Sequence, residues 1–450
     1  MEYFTLLGVA TAVIAALAVA LYRQRGDLGL VVGIAALYYW SLYGAWSIVI
    51  DKTGGFSGQH YQYLEYKMFP ISLDGRYLLT LALYAGFIIL VELTLLAALS
   101  RRRLRPIPRL VLRHEAILLV GFAAGIASYL VIRDKLNMAS AINTSAYWYT
   151  RSQGDQWFTL HQVLNRVALI PPAIGMATLA AGKRSRYFVN VERRYTWPAY
   201  VLLVAGMSAF TFVLGNKNEV LTALLAGVLT YAGSLQRPQW WKIGLALAAG
   251  LWFLAAVDFF RAAPISEIGA AVLARGQDSG DVSHFVTTSN EAFAAHFSLY
   301  GVLASETEPK FGYSLYSLVC SVVPRVLWPS RPRDIYLYYS ESVGTIQNQG
   351  YSLHHATGWF LNFGYAGVAV GAVVLGLIWA ACLNAHQKIR RRSGLLYRLF
   401  AIIAPWVLVA GLPPLIRAGP EGYKGLILES FLIPIGVLVF ACRAKKFATP

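Results

Sequence analysis

The sequence predicts an all-α, polytopic integral membrane protein, and three observations carry that reading. Its 450 residues are 57% hydrophobic and only 14% charged, whereas a soluble domain carries about 25% charged residues. Apolar runs near twenty residues recur along the whole chain, the length a helix needs to cross about 30 Å of hydrocarbon. The basic residues also segregate into alternate loops. These features exclude a single soluble domain, a secreted disulfide scaffold and a disordered tail protein. Cys320, Cys382 and Cys442 imply no disulfide framework, since only Cys320 falls in an outer loop.

Eleven runs read as spans: 3–21, 28–50, 78–99, 116–132, 164–181, 197–214, 220–235, 243–260, 358–383, 396–412 and 425–442. Only Met1-Glu2 precedes the first, with no basic n-region, so it reads as an uncleaved anchor rather than a signal peptide. The fifth contains Pro171-Pro172, and the sixth and seventh share the short turn from Gly215 to Glu219. The chain thus divides into 1–260 with eight spans and short loops, a large loop 261–357, and 358–450 with three spans and the C-terminal tail.

Charge sets the predicted orientation. One set of alternate loops holds 23 of the 39 basic residues against three acids, Asp27, Glu115 and Glu192. The positive-inside rule makes that face cytoplasmic, with the N-terminus periplasmic and the C-terminus cytoplasmic, which requires an odd span count. The opposite face carries 16 basic and 17 acidic residues and is close to neutral. The net charge of +17 is therefore an orientation signal toward anionic membrane lipid and needs no nucleic-acid partner.

The basic loops are too short for a nucleotide-binding domain, and no G-x-x-x-x-G-K-[ST], H-E-x-x-H or D-x-D string occurs. Function is expected on the outer face, whose loop 261–357 runs to 97 residues and is rich in aromatic and aliphatic letters. Within it, 290–303 has helical spacing, with Phe293, Phe297 and Tyr300 on one stripe. Glu291 and His296 are five apart and do not stack directly. The segment 313–324 is too short to span and is stopped by Pro324, so it reads as an interfacial or re-entrant helix.

Arg325, Arg331 and Arg333 follow among Pro324, Pro329 and Pro332. Guanidinium forks suit phosphate oxygens, and prolines lower the entropy lost on binding. The alternative is a juxtamembrane loop whose arginines meet lipid headgroups. His354 and His355 are adjacent, which disfavours a two-histidine metal site because neighbours point apart. Either could serve as general base for a hydroxyl, or could be a histidine bonded to backbone.

Polar residues at membrane depth cost about 2.5–3.5 kcal/mol each on the insertion scale. Arg166, Lys217, Glu219, Glu92 and Glu429 are such residues, and Glu92 and Glu429 read as pairing with neighbouring helices. A pocket lined by Arg166, Lys217 and the loop arginines could hold a lipid diphosphate. Outer aromatics, among them Tyr147, Trp148, Tyr149, Trp157, Trp328, Tyr336, Tyr338, Tyr339 and Trp359, support a sugar ligand or an interfacial aromatic belt.

The string V-P-R-V-L-W-P-S-R-P (323–332), followed by G-W-F-L-N-F-G-Y-A-G-V (358–368), resembles the Wzy-type polysaccharide repeat-unit polymerases of the O-antigen, capsule and exopolysaccharide pathways. The resemblance is sharp over 323–371 and otherwise rests on topology. Trp359 stands where many members have Glu, which shifts weight to His354 or His355. A histidine shortly before the N-x-G-x-x-G element is also similar to the related O-antigen ligases.

The resemblance implies a bacterial inner-membrane glycosyltransferase of C-type architecture, inverting, metal-independent and without cofactor. It would join oligosaccharide repeat units carried on undecaprenyl diphosphate. It implies Arg325 and Arg331 as the diphosphate clamp, with Arg333, Arg166 and Lys217 as helpers. His355 or His354 would take the acceptor proton, with Glu291 in reserve, and Trp328, Trp359 and Tyr351 would contact sugar. A chain-length regulator (co-polymerase) and a flippase of the same pathway are the implied partners. The alternatives are a ligase using the same donor, and a lipid-linked glycan transporter. The asymmetric 97-residue loop and the lack of paired inverted repeats stand against transport.

Overall fold

The computed structural model describes residues 1–26, 32–33, 35–36, 46, 49, 72–100, 109–133, 156–190, 194–214, 217–235, 241, 244, 291–323, 327–344, 352–385, 388, 393–411, 415 and 418–444. These residues are predominantly helical. Six helices among them are long and apolar enough to cross a membrane: Glu2–Arg25, Gly75–Ala98, His114–Ile132, Trp157–Arg184, His355–Ala385 and Lys424–Ala441. Helices Thr196–Val213, Lys217–Ser234 and Leu395–Ala410 occupy three further predicted spans. The predicted spans 28–50 and 243–260 lie, but for isolated positions, outside the described residues. The chain is thus a largely helical membrane protein.

Three boundaries differ from the sequence expectation. The fifth helix begins at Gln156, not 164, and runs through Pro171-Pro172 to Ala181. Membrane helices tolerate proline where neighbours and local adjustment re-satisfy the freed backbone groups. Polar His161 and Asn165 masked this start, because both are buried and satisfied laterally: His161 Nδ1 lies 2.8 Å from Ser128 Oγ, and Asn165 Nδ2 donates to Thr211 Oγ1 at 2.9 Å. The ninth begins at His355 rather than 358 and is broken at Phe363 and Gly364, where Gly364 takes φ +60°, a backbone state natural to glycine. The last is π-helical over Lys424–Leu432 before Ile433–Ala441 continues it.

The chain forms two compact units. The first comprises 1–101, 280–383 and 412–425. In it Glu2–Arg25 packs along Gly75–Ala98, and Glu291–Ala304 packs against that same helix. Asp74 starts Gly75–Ala98 by accepting the Tyr77 N–H at 2.9 Å, a side-chain N-cap. Helix Tyr313–Cys320 packs on Ile335–Ser342.

The second unit comprises 102–279, 384–411 and 426–450, with Gln156–Ala181 at its centre against His114–Ile132, Thr196–Val213, Lys217–Ser234 and Ile433–Ala441. Small residues permit these approaches: a Cβ on Gly175 would meet the Tyr200 hydroxyl, and one on Gly233 would meet the Trp406 indole. One small sheet is also found in this predominantly helical chain. Leu110–Leu112 pairs in parallel with Phe188–Asn190 and antiparallel with Cys442–Ala444. Three-residue strands give no period-2 signal, yet backbone groups beside the hydrocarbon must be paired. Basic loop residues help: Arg113 Nη2 donates to Phe440 O at 2.9 Å and Arg186 Nε to Leu235 O at 2.6 Å.

Candidate active site

Three histidines of the first unit share a buried polar cluster built from four segments. Gly75–Ala98 supplies Tyr77 and Tyr84, Glu291–Ala304 supplies His296 and Ser298, and the His355–Ala385 helix begins in the cluster. The turn 418–423 closes it. Residues 295–302 of Glu291–Ala304 are buried on all sides, His296, Phe297 and Tyr300 among them, as a helix enclosed by its neighbours is.

His355 is the best-fixed of the three. Its Nδ1 lies 2.9 Å from the Ala418 carbonyl oxygen, which can only accept, so Nδ1 carries the proton. Nε2 is then the acceptor, receiving the Tyr423 hydroxyl at 2.9 Å and the Trp359 indole N–H at 3.3 Å. Orientation of one ring nitrogen by a backbone carbonyl is how proteins select an imidazole tautomer. Trp359 is therefore a hydrogen-bond donor to the histidine. Burial pushes the Tyr423 phenol above its usual pKa, so it serves as a neutral donor.

His354 faces elsewhere, as adjacency requires. Its Nδ1 accepts the Ala356 N–H at 2.9 Å and its ring stacks on Tyr84, with centroids 4.0 Å apart. Its backbone N–H donates to Ser298 Oγ at 3.0 Å, and Ser298 in turn pairs with Thr357 Oγ1 at 2.9 Å. His296 Nε2 lies 3.0 Å from the Tyr77 hydroxyl, while its Nδ1 has no hydrogen-bond partner among the described residues. Burial lowers the His296 pKa to about 3. Burial, followed by the neighbouring His296 and His355, also holds His354 well below the usual histidine range. Burial disfavours the charged imidazolium in each case.

The motif residues at 358–371 are accounted for by packing. Asn362 Oδ1 accepts the Ser314 N–H at 2.8 Å, and its Nδ2 donates to Ser314 Oγ at 2.7 Å and Gly358 O at 2.6 Å. It thereby ties the first turn of Tyr313–Cys320 to the start of His355–Ala385. A Cβ at Gly367 would meet the Trp359 carbonyl, and one at Gly371 the Trp359 indole. Gly358 is held against the Gly419 backbone, which brings the 418–423 turn onto His355.

That turn also carries Glu421, whose Oε1 accepts the Ile335 N–H at 3.0 Å, the first amide of Ile335–Ser342. Burial raises the Glu421 pKa, partly offset by these backbone hydrogen bonds. Glu421 and Tyr423 escaped the sequence reading because they sit in a short loop between two apolar runs, with no motif around them. Tyr77, Tyr84, His296 and Asn362 were equally missed as partners; all lie within apolar helical patterns.

The other predicted site residues divide. Arg331 clasps the chain itself, with Nη1 donating to Ser321 O at 2.9 Å and Val323 O at 2.8 Å, two carbonyls just beyond Tyr313–Cys320. Arg333 is exposed and Trp328 half-buried. Arg325 and Tyr351 lie outside the described residues, as do the side chains of Glu291 and Lys217, which open Glu291–Ala304 and Lys217–Ser234. Arg166 belongs to the second unit, where it pairs with Glu429 and, at 3.6 Å, with Glu219. These ion pairs give Arg166 a structural role beside the one the sequence suggests: at membrane depth two carboxylates call for a cation. Among the described residues no three His, Cys, Asp or Glu side chains converge as a metal site would need. Comparison with known proteins returns no matching family model, curated protein or solved structure.

Proposed function

We propose that the chain is a polysaccharide polymerase, joining undecaprenyl-diphosphate-linked oligosaccharide repeat units at the periplasmic face of the bacterial inner membrane by inverting glycosyl transfer. One observation supports this reading most. The 418–423 turn binds His355 through Ala418 and Tyr423, and through Glu421 it binds Ile335, two residues beyond Arg333. His355 and the segment 327–335, which carries Arg331 and Arg333, are thus tied to one short turn, as a base and a diphosphate clamp for one reaction would require.

In this reading the acceptor hydroxyl attacks the anomeric carbon of the donor chain as the bond to the diphosphate oxygen breaks. The proton passes to His355 Nε2, the nitrogen left as acceptor once Nδ1 donates to Ala418, and there replaces the hydrogen bonds that Tyr423 and Trp359 donate to it. Arg325 and Arg333 stabilise charge on the leaving undecaprenyl diphosphate. Arg331 shapes the loop that presents them, and Trp328, Trp359 and Tyr351 border the sugar. The chain-length regulator and flippase of the pathway would act beside it. A histidine shortly before N-x-G-x-x-G suits a ligase equally, which would differ in acceptor.

The test is gel analysis of lipid-linked glycan in a strain lacking the gene and complemented with variants. Arg325→Ala and His355→Ala should each abolish long-chain product while the protein stays inserted. A full ladder of chain lengths from both variants would refute the site. A single repeat unit on the lipid A core in the deletion strain supports the polymerase, and unattached long polymer supports the ligase. Lipid-linked units trapped on the cytoplasmic side support a transporter.

A further inference from the structure

Helix Tyr313–Cys320 has its polarity reversed. It buries Ser314, Ser317 and Cys320 and exposes Leu315, Tyr316 and Val319, the last 71% exposed. Spacing of 315, 316 and 319 keeps these side chains on one helical face. The exposed apolar surface continues on both sides of the helix, with Phe311 81%, Val322 62% and Leu327 77% exposed, and Val323 beside them. In water a segment so patterned would turn over, because the small polar residues are the ones inside. Contiguous apolar patches of this kind mark an interaction surface.

The orientation of the face is fixed from below. Asn362 holds the Ser314 amide and hydroxyl at 2.8 and 2.7 Å, and Lys310 N–H donates to Leu361 O at 2.7 Å. Both ends of the apolar stretch are bounded by cations. Lys310 precedes Phe311 and sits 3.8 Å from the Tyr338 ring centroid. Arg331 and exposed Arg333 follow Leu327. Arg331 also satisfies the Ser321 and Val323 carbonyls, groups left open past the end of a helix and costly in a medium without water.

We infer that residues 311–323, together with Leu327, form a monotopic membrane-facing surface: Leu315, Tyr316, Val319, Val322 and Leu327 lie among the acyl chains of one lipid leaflet, while Lys310, Arg331 and Arg333 meet its phosphates. Apolar side chains on one face with cations at the edges are the signature of an interfacial segment, and long basic side chains reach the headgroup level from such a position. The same unit carries helices able to cross the bilayer, so a leaflet is at hand. The inference stands whether or not the chain is a polymerase.

Nitroxide labels on Val319→Cys, Val322→Cys and Leu327→Cys test it, with the full chain in phosphatidylethanolamine–phosphatidylglycerol vesicles. The native cysteines are buried, and unsubstituted protein gives the background label. Collision with oxygen should exceed collision with a water-soluble nickel chelate several-fold at all three sites. The order should reverse at exposed Glu308→Cys. Nickel collisions dominating at 319, 322 and 327 would overturn the inference, and so would exclusion of both reagents, which would mean protein cover. A photo-crosslinking residue at 327 gives a second readout: lipid adducts support the inference, and protein adducts or none overturn it.

Discussion

Tyr423 and His355 share a 2.9 Å hydrogen bond in which the phenol donates and imidazole Nε2 accepts. The acceptor role follows from the opposite nitrogen, which donates to Ala418 O. The pair joins the first residue of a membrane helix to a turn 68 residues further along the chain.

If His355 takes the acceptor proton, its loss should be severe and loss of Tyr423 mild. His355→Ala should lower polymerisation by about 10²–10⁴-fold, the usual worth of a positioned general base. Tyr423→Phe should cost less than about tenfold, because Trp359 still donates to Nε2. Band intensities of polymer against single repeat unit, at matched protein level, check this; equal losses would make both residues structural.

The buried histidines predict acid lability. His296 titrates near 6.5 when unfolded but at about 3 in the fold, and His354 is lowered in the same direction. The unfolded state therefore binds more protons below about pH 6.5, and stability falls as pH drops from there toward 3. For His296 alone this amounts to about 1.4 kcal/mol at pH 5.5. Thermal unfolding in detergent at pH 7.5, 6.5 and 5.5 should show the decline, and His296→Asn should flatten it.

Asn362 should prove structural before it proves functional. Asn362→Ala removes three hydrogen bonds and leaves the buried Ser314 N–H unpaired, at about 1–3 kcal/mol for the unsatisfied group. Denaturant titration should show lower stability, and labels on 319 should become more mobile because the 313–320 helix is no longer tethered.

Arg166 separates an ion pair from a phosphate ligand. Arg166→Met should destabilise the protein by about 3–5 kcal/mol, since Glu219 and Glu429 are left uncompensated in a buried setting. Adding Glu429→Gln should restore part of the folded yield and of the polymer. Restored fold without any polymer would instead return Arg166 to the reaction.

Composition and period suffice for the apolar helices, because a span must satisfy its backbone internally and must be apolar over about twenty residues. Runs 3–21 and 78–99 appear as Glu2–Arg25 and Gly75–Ala98. The start at Gln156 was hidden by His161 and Asn165, polar letters whose burial depends on Ser128 and Thr211 from other helices. The three-stranded sheet was hidden because its strands come from loops tens to hundreds of residues apart.

Residue letters alone assign the solvent: a chain with 14% charge and recurrent twenty-residue apolar runs belongs in lipid, because transfer free energy is a local, additive property of residues. They also mark His354, His355 and the arginine-proline segment as worth explaining. Which nitrogen of His355 is the acceptor, that His296 lies in the same cluster, that Arg331 clasps carbonyls and that Arg166 is neutralised were decided only by the tertiary structure. Hydrogen bonding and ion pairing depend on distance in space, and these partners lie from eight residues (Arg331 with Val323) to 263 residues (Arg166 with Glu429) apart in the chain.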